Sequence, residues 1–185
     1  MNRQYISTDD ELNYSEINGL NGFVASITPF NFTAIGANLV SAPLLMGTPV
    51  VWKPSPYSLL SNYLYYNILL ENNIPPEIIS FTPIRPDRFM DIVSKQRNLA
   101  GIAFTGSSQI FSQIYDVIGQ NVGTGTYANY PRIVGETGGK NFHFVHPSAD
   151  AEYVAEKTFH AAFGYSGQKC SACSRLYIPK PLWRN

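Results

Sequence analysis

Gly101-Ile102-Ala103-Phe104-Thr105-Gly106-Ser107-Ser108-Gln109-Ile110 is the stretch from which the fold can be read. Gly101 to Phe104 has strand character, Gly106 allows a tight turn, and the serines open a helix. That helix would carry Ile110, Ile114, Val117 and Ile118 on one face. Strand, glycine turn and amphipathic helix in that order make part of a βαβ unit. The first turn of such a helix offers free N–H groups at the positive end of its dipole, and both suit a pyrophosphate. An ordinary serine-capped helix start reads the same way, and no G-x-G-x-x-G or Walker A run occurs.

Working outward, strands are expected at Phe23 to Ile27, Pro49 to Lys53, Ile78 to Thr82, Arg132 to Gly135, Phe142 to Val145 and Arg175 to Ile178. Helices are expected from Ala34 to Leu45, ended by Gly47 and Pro49, and from Asp87 to Lys95. Another follows the spacing of Leu59, Tyr63, Tyr66 and Leu70 and stops before Pro75-Pro76. A last one is capped by Asp150 and runs towards Phe163. Strand and helix alternating at this pitch predict an α/β fold with a mostly parallel, doubly wound sheet, whose ligands bind at the carboxyl ends of the strands.

The 185 residues hold 13 Lys+Arg and 13 Asp+Glu with no basic run, which argues against a nucleic-acid or anionic-membrane partner. Ile17 to Trp52 contains no charged residue, but Gly36, Asn38, Pro43, Gly47 and Pro49 interrupt it too often for a membrane span. A segment buried in a soluble core is expected instead. The first sixteen residues, with Asp9, Asp10, Glu11 and Glu16 against Arg3, form a polar lead and no targeting segment.

Four places could carry chemistry. Besides the 106–110 turn, Lys53 closes a strand, where a lysine can meet ribose or phosphate oxygens or simply face solvent. Glu136 follows a strand and precedes Gly138-Gly139, which lets another backbone come close; it is a general-base candidate or a loop residue. Cys170 and Cys173 are the only cysteines. A zinc site would need two further ligands. His143 and His146, three apart on a strand, point to opposite faces and complement the thiols poorly, so no metal is expected. A redox pair or a single nucleophile are the other readings.

Together these runs resemble the aldehyde dehydrogenase superfamily: Pro29-Phe30-Asn31-Phe32, Lys53-Pro54, Phe104-Thr105-Gly106-Ser107, Glu136-x-Gly138-Gly139-Lys140 and Gly167-Gln168-x-Cys170, in that order. The runs Thr28 to Ile35, Glu136 to His146 and Gly167 to Arg175 are closer still to the Δ1-pyrroline-5-carboxylate dehydrogenases. That resemblance implies a Rossmann-like NAD-binding domain over 17–140, following the 1–16 lead, and the start of a catalytic domain over 141–185. Cys170 would be the nucleophile, Cys173 a bystander, Asn31 an oxyanion donor and Glu136 the base. Thr28, Lys53, Gly106, Ser107, Ser108, Gln109 and Ile110 would hold NAD, and Lys169 and Ser171 would contact the substrate. The implied reaction oxidises a small-molecule aldehyde, L-glutamate γ-semialdehyde, to L-glutamate in proline catabolism. The implied setting is a homodimer or higher homo-oligomer of the full-length protein in the mitochondrial matrix.

Two departures qualify this. Many NAD-dependent members carry an acidic residue three positions after the lysine, where Pro56 stands here. No Glu-x-Phe-Gly-Pro run follows, so the 185-residue chain by itself is expected to turn over little or nothing. A non-catalytic remnant that retains dinucleotide binding is one alternative, and a thiol or zinc module around Cys170 and Cys173 is the other.

Overall fold

Alternating Val, Ile and Phe with small residues builds a sheet that buries side chains on both faces, while Val134 on its edge strand stays exposed. The computed structural model describes residues 6–184; the first five residues of the polar lead, and Asn185, lie outside the described residues. Strands β1 (Phe23–Ile27), β2 (Val50–Lys53), β3 (Ile79–Phe81), β4 (Leu99–Gly106) and β5 (Arg132–Thr137) form one parallel sheet in the order β3-β2-β1-β4-β5. The chain moves outward from β1 in one direction and then returns to β1's other side, so the switch point lies between β1 and β4.

Helices α1 (Thr33–Leu45) and α2 (Leu59–Glu71) lie on one side, α3 (Pro86–Val93) and α4 (Ser108–Gly123) on the other. The period of two decides which residues meet them. Ala25, Ile27, Ile102 and Phe104 pack with Phe89 and Val93 of α3 and with Ile114 and Ile118 of α4. On the other side Val50, Trp52 and Ile79 pack with Val40 of α1, and Tyr65, Tyr66 and Leu69 of α2 close over them. Trp52 is fully buried, edge-on to Phe81 at 5.0 Å and to Tyr65 at 6.2 Å. The uncharged stretch 17–52 supplies β1, α1 and β2, the innermost part of the sheet and one of its covers. Among the described residues no helix is long and apolar enough to cross a membrane.

A second parallel pair, β6 (Phe142–Phe144) and β7 (Arg175–Tyr177), stands apart from the first sheet, with α5 (Ala151–Phe163) in the crossover between its strands. The expected caps form: Asp150 Oδ1 accepts from Tyr153 N at 2.7 Å, and Ser107 Oγ from Ile110 N at 3.3 Å.

Element ends differ from the expectation for physical reasons. β2 starts at Val50, because Pro49 has no N–H for the ladder, although its carbonyl accepts from Val24 N at 2.9 Å. β4 runs two residues further at each end than Gly101 to Phe104, since Leu99 pairs with Phe23 while Thr105 and Gly106 pair with Glu136 and Thr137. α3 starts at Pro86, whose fixed φ suits a first helical position.

Candidate active site

All five strands of the main sheet point the same way, so their carboxyl ends share one edge. There Thr28, Lys53, Gly106 and Thr137 come together around a cleft of about 980 Å³. Its far wall is the loop after α5, with Gln168, Lys169, Cys170 and Ser171. The cleft therefore runs from the dinucleotide-type edge of the first sheet to the cysteine loop.

Thr28 is buried, and its Oγ1 accepts from the Trp52 indole N–H at 2.9 Å. Its own N–H donates to the Lys53 carbonyl at 3.2 Å. Lys53 is only 4% exposed, and Nζ donates to the Pro54 carbonyl at 3.0 Å. Burial pushes its pKa below the usual lysine value. Among the described residues it makes no ion pair, so an anion entering the cleft would meet an uncompensated cation.

Gly106, Ser107 and Ile110 line the cleft, with Ser107 capping α4. Ser108 and Gln109 begin the same helix but do not line it. A Cβ at Gly106 would stand 2.6 Å from the Phe104 ring, so glycine is needed for the turn to close over that side chain.

The other end is built by close approach. A Cβ on Gly139 would lie 1.9 Å from the Cys170 carbonyl oxygen, so only glycine lets the 136–141 loop press against the cysteine loop. Asn141 Nδ2 donates to the Ser171 carbonyl at 3.3 Å, and the Asn141 carbonyl accepts from Ser174 N at 2.9 Å. Asn31 reaches across from the loop after β1, its Nδ2 donating to the Gln168 carbonyl at 2.9 Å, while its buried Oδ1 has no partner among the described residues. Glu136, expected just after a strand, lies inside β5 as its penultimate residue because pairing with β4 continues to Gly106; it stands opposite Thr105, lines the cleft, and makes no ion pair among the described residues.

The two cysteines are unlike. Cys170 is exposed in a turn closed by Ala172 N donating to the Lys169 carbonyl at 3.0 Å. Cys173 is half-buried; its N–H donates to the Ala161 carbonyl at 3.0 Å and its Sγ to the Arg175 carbonyl at 3.1 Å. Cys173 thus ties the loop to α5 and leads into β7. His143 shares a hydrogen bond with Thr158 and His146 with Ser148, both at 2.8 Å.

Sequence reasoning passed over several contributors. Gln168 and Asn141 lay inside the quoted runs without a role. Tyr165 and Ser166, both at φ 56°, make a left-handed turn just before Gly167, which is itself at φ 69°. Two consecutive non-glycine residues in that region are uncommon, and no residue type there announces it.

The profile of the aldehyde dehydrogenase family matches residues 1–185. The chain belongs to the aldehyde dehydrogenase family. Mitochondrial Δ1-pyrroline-5-carboxylate dehydrogenase of Mus musculus is 51% identical over 180 residues, covering 97% of this chain and 32% of that protein. The Dictyostelium discoideum enzyme of the same name is 51% identical over 164 residues, or 89% of this chain and 29% of the relative. The crystal structure of the Mycobacterium tuberculosis Δ-pyrroline-5-carboxylate dehydrogenase bound with NAD superposes with a TM-score of 0.93 at 42% identity, covering 99% of this chain and 34% of that one. This family member thus spans about a third of the length of these relatives.

Proposed function

We propose that this chain is the NAD-binding and nucleophile-bearing part of a mitochondrial L-glutamate γ-semialdehyde dehydrogenase, with 17–140 as the dinucleotide domain and 141–185 opening the catalytic domain. The observation that carries the reading is the exposed Cys170, held in one cleft with Asn31 and Glu136 by the Gly139 contact. The relatives at about half identity, named for Δ1-pyrroline-5-carboxylate oxidation and for mitochondria, support the substrate and compartment.

The cleft suits a dinucleotide. It offers a buried Lys53 with no ion pair among the described residues and the N-terminal turn of α4 to phosphate and ribose oxygens, and its volume is at the upper end of small-molecule sites. Thr28, Lys53, Gly106, Ser107 and Ile110 would hold it from the cleft wall, with Ser108 and Gln109 contributing through the helix start. NAD bound there would supply the hydride acceptor.

The chain's own residues then have these tasks. The Cys170 thiolate attacks the aldehyde carbon, and the oxygen becomes an oxyanion. Asn31 Nδ2 carries two hydrogens, one of them already given to Gln168, which leaves the second for that oxyanion beside the Cys170 N–H. After oxidation the acyl group remains on Cys170 as a thioester. Glu136 takes a proton from the water that opens it, giving L-glutamate and freeing the thiol. Lys169 and Ser171 stand beside the nucleophile, where they can meet the charged amino-acid end of the substrate.

The test is made on the protein at its full natural length. Cys170→Ala should abolish NADH formation from glutamate γ-semialdehyde, and Cys173→Ala should leave most of it. Equal damage from both would point to a coupled thiol pair instead.

A further inference from the structure

The loop that carries Asn31 is gripped from outside the cleft. Asn62 on α2 is 1% exposed, and its Nδ2 donates to Ser58 Oγ at 3.0 Å. Ser58 Oγ donates in turn to the Pro29 carbonyl at 3.4 Å, two residues before Asn31. Two residues after it, Thr33 Oγ1 donates to Ser61 Oγ at 3.1 Å, and Ser61 Oγ donates to the Ser58 carbonyl at 3.1 Å. Ser58, just before α2, and Ser61 in its first turn therefore hold both flanks of Asn31.

The buried amide is seated with little room. Asn62 Oδ1 has no partner among the described residues, and a Cβ on Gly36 of α1 would stand 2.9 Å from it. A buried carbonyl without a partner is costly and persists only where its other half is needed. Here that other half is the N–H given to Ser58. The donation occupies a lone pair of Ser58 and leaves its hydroxyl hydrogen to point at Pro29.

We infer that Ser58, oriented by Asn62, and Ser61 are positioning residues that set the place of the Asn31 side chain relative to the Cys170 loop. None of them lines the cleft, and their contacts reach it through the backbone on either side of Asn31, at Pro29 and Thr33. The inference rests on the reading of Asn31 as the oxyanion donor. A displacement of about 1 Å at a catalytic group is worth roughly a hundredfold in rate, and loss of one of two grips should give part of that.

The experiment is a double-mutant cycle on the full-length enzyme, with melting curves recorded for every variant. Ser58→Ala and Ser61→Ala, each made separately, should lower kcat roughly tenfold, with KM for the aldehyde held within about twofold. In an Asn31→Ala background the same substitutions should change kcat by less than about twofold, because the group they position is gone. A merely structural role would lower activity equally in both backgrounds, and that result overturns the inference. So does a kcat at the wild-type level in both single variants. Two separate substitutions are used because either could impair folding; Asn62→Ala serves as a third, expected to match Ser58→Ala. If Asn31→Ala itself keeps full kcat, the oxyanion reading fails and this inference with it.

Discussion

Replacing Gly139 by alanine should separate the two halves of the site without unfolding either. The added Cβ would lie 1.9 Å from the Cys170 carbonyl oxygen and 2.9 Å from its carbonyl carbon. Both are backbone atoms, so no rotamer change can relieve the clash. Real Cβ contacts rarely fall below 3.0 Å, so the loops must part by at least about 1.1 Å (3.0 − 1.9). Misplacement by about 1 Å costs on the order of a hundredfold in rate, equivalent to about 2.7 kcal/mol in the barrier. The folding cost should be that of an overpacked contact, about 1–3 kcal/mol, and less where surface loops can shift. The assay, on the full-length protein, compares kcat with the proposed substrate glutamate γ-semialdehyde and NAD, the rate of Cys170 alkylation by iodoacetamide, and the thermal midpoint. A hundredfold lower kcat in a protein that still melts cooperatively is expected. A kcat within about threefold of wild type would refute the claim that this contact positions the nucleophile.

Asn31→Ala removes the proposed oxyanion donor and also the bond to Gln168, so kcat of the full-length protein should fall about 10²- to 10³-fold, measured in steady state. Lys53→Met replaces a buried cation whose folded pKa lies below its ordinary value of 10.5. The unfolded chain holds that proton more tightly, so the burden on wild-type stability is full below the folded pKa and fades as pH rises towards 10.5. The urea midpoint of Lys53→Met should therefore exceed wild type near neutrality, with the gap closing in the alkaline range; a constant gap would count against it. NAD binding should be weaker in the same variant, as read by calorimetry. Ser166→Gly relieves a left-handed residue and should raise the unfolding free energy by about 1 kcal/mol; a loss would show that the side chain holds the turn.

Much of the first sheet was legible because its signals are local. Ile110, Ile114 and Ile118 repeat at helical spacing, Asp150 and Ser107 are side chains that cap, and Pro49 and Gly47 stop what precedes them. The family resemblance rested on five such local runs. Other features were hidden because they depend on residues far apart in the chain. Nothing near Gly139 tells which backbone it meets, and nothing near Asn31 names Gln168 as its partner. Trp52 reads as a core residue, and its indole N–H finds Thr28 only through the pairing of β1 with β2. The turn at Tyr165 and Ser166 escaped notice because such backbone is normally announced by glycine or asparagine. Ser108 and Gln109 were grouped with the cleft by motif; they start the helix behind Ser107 without lining the wall themselves.

The bond between Asn31 and Gln168 joins residues 137 positions apart. At synthesis rates of about 5–20 residues per second, the second partner leaves the ribosome roughly ten seconds after the first. By then β1 through β5 can already be paired, since β4 and β5 close over shorter loops. The setting of the thiol is thus assembled only after the first sheet, together with the β6–β7 pair. A nascent or partly opened molecule therefore carries Cys170 without the neighbours that the Asn31 and Gly139 contacts bring to its loop.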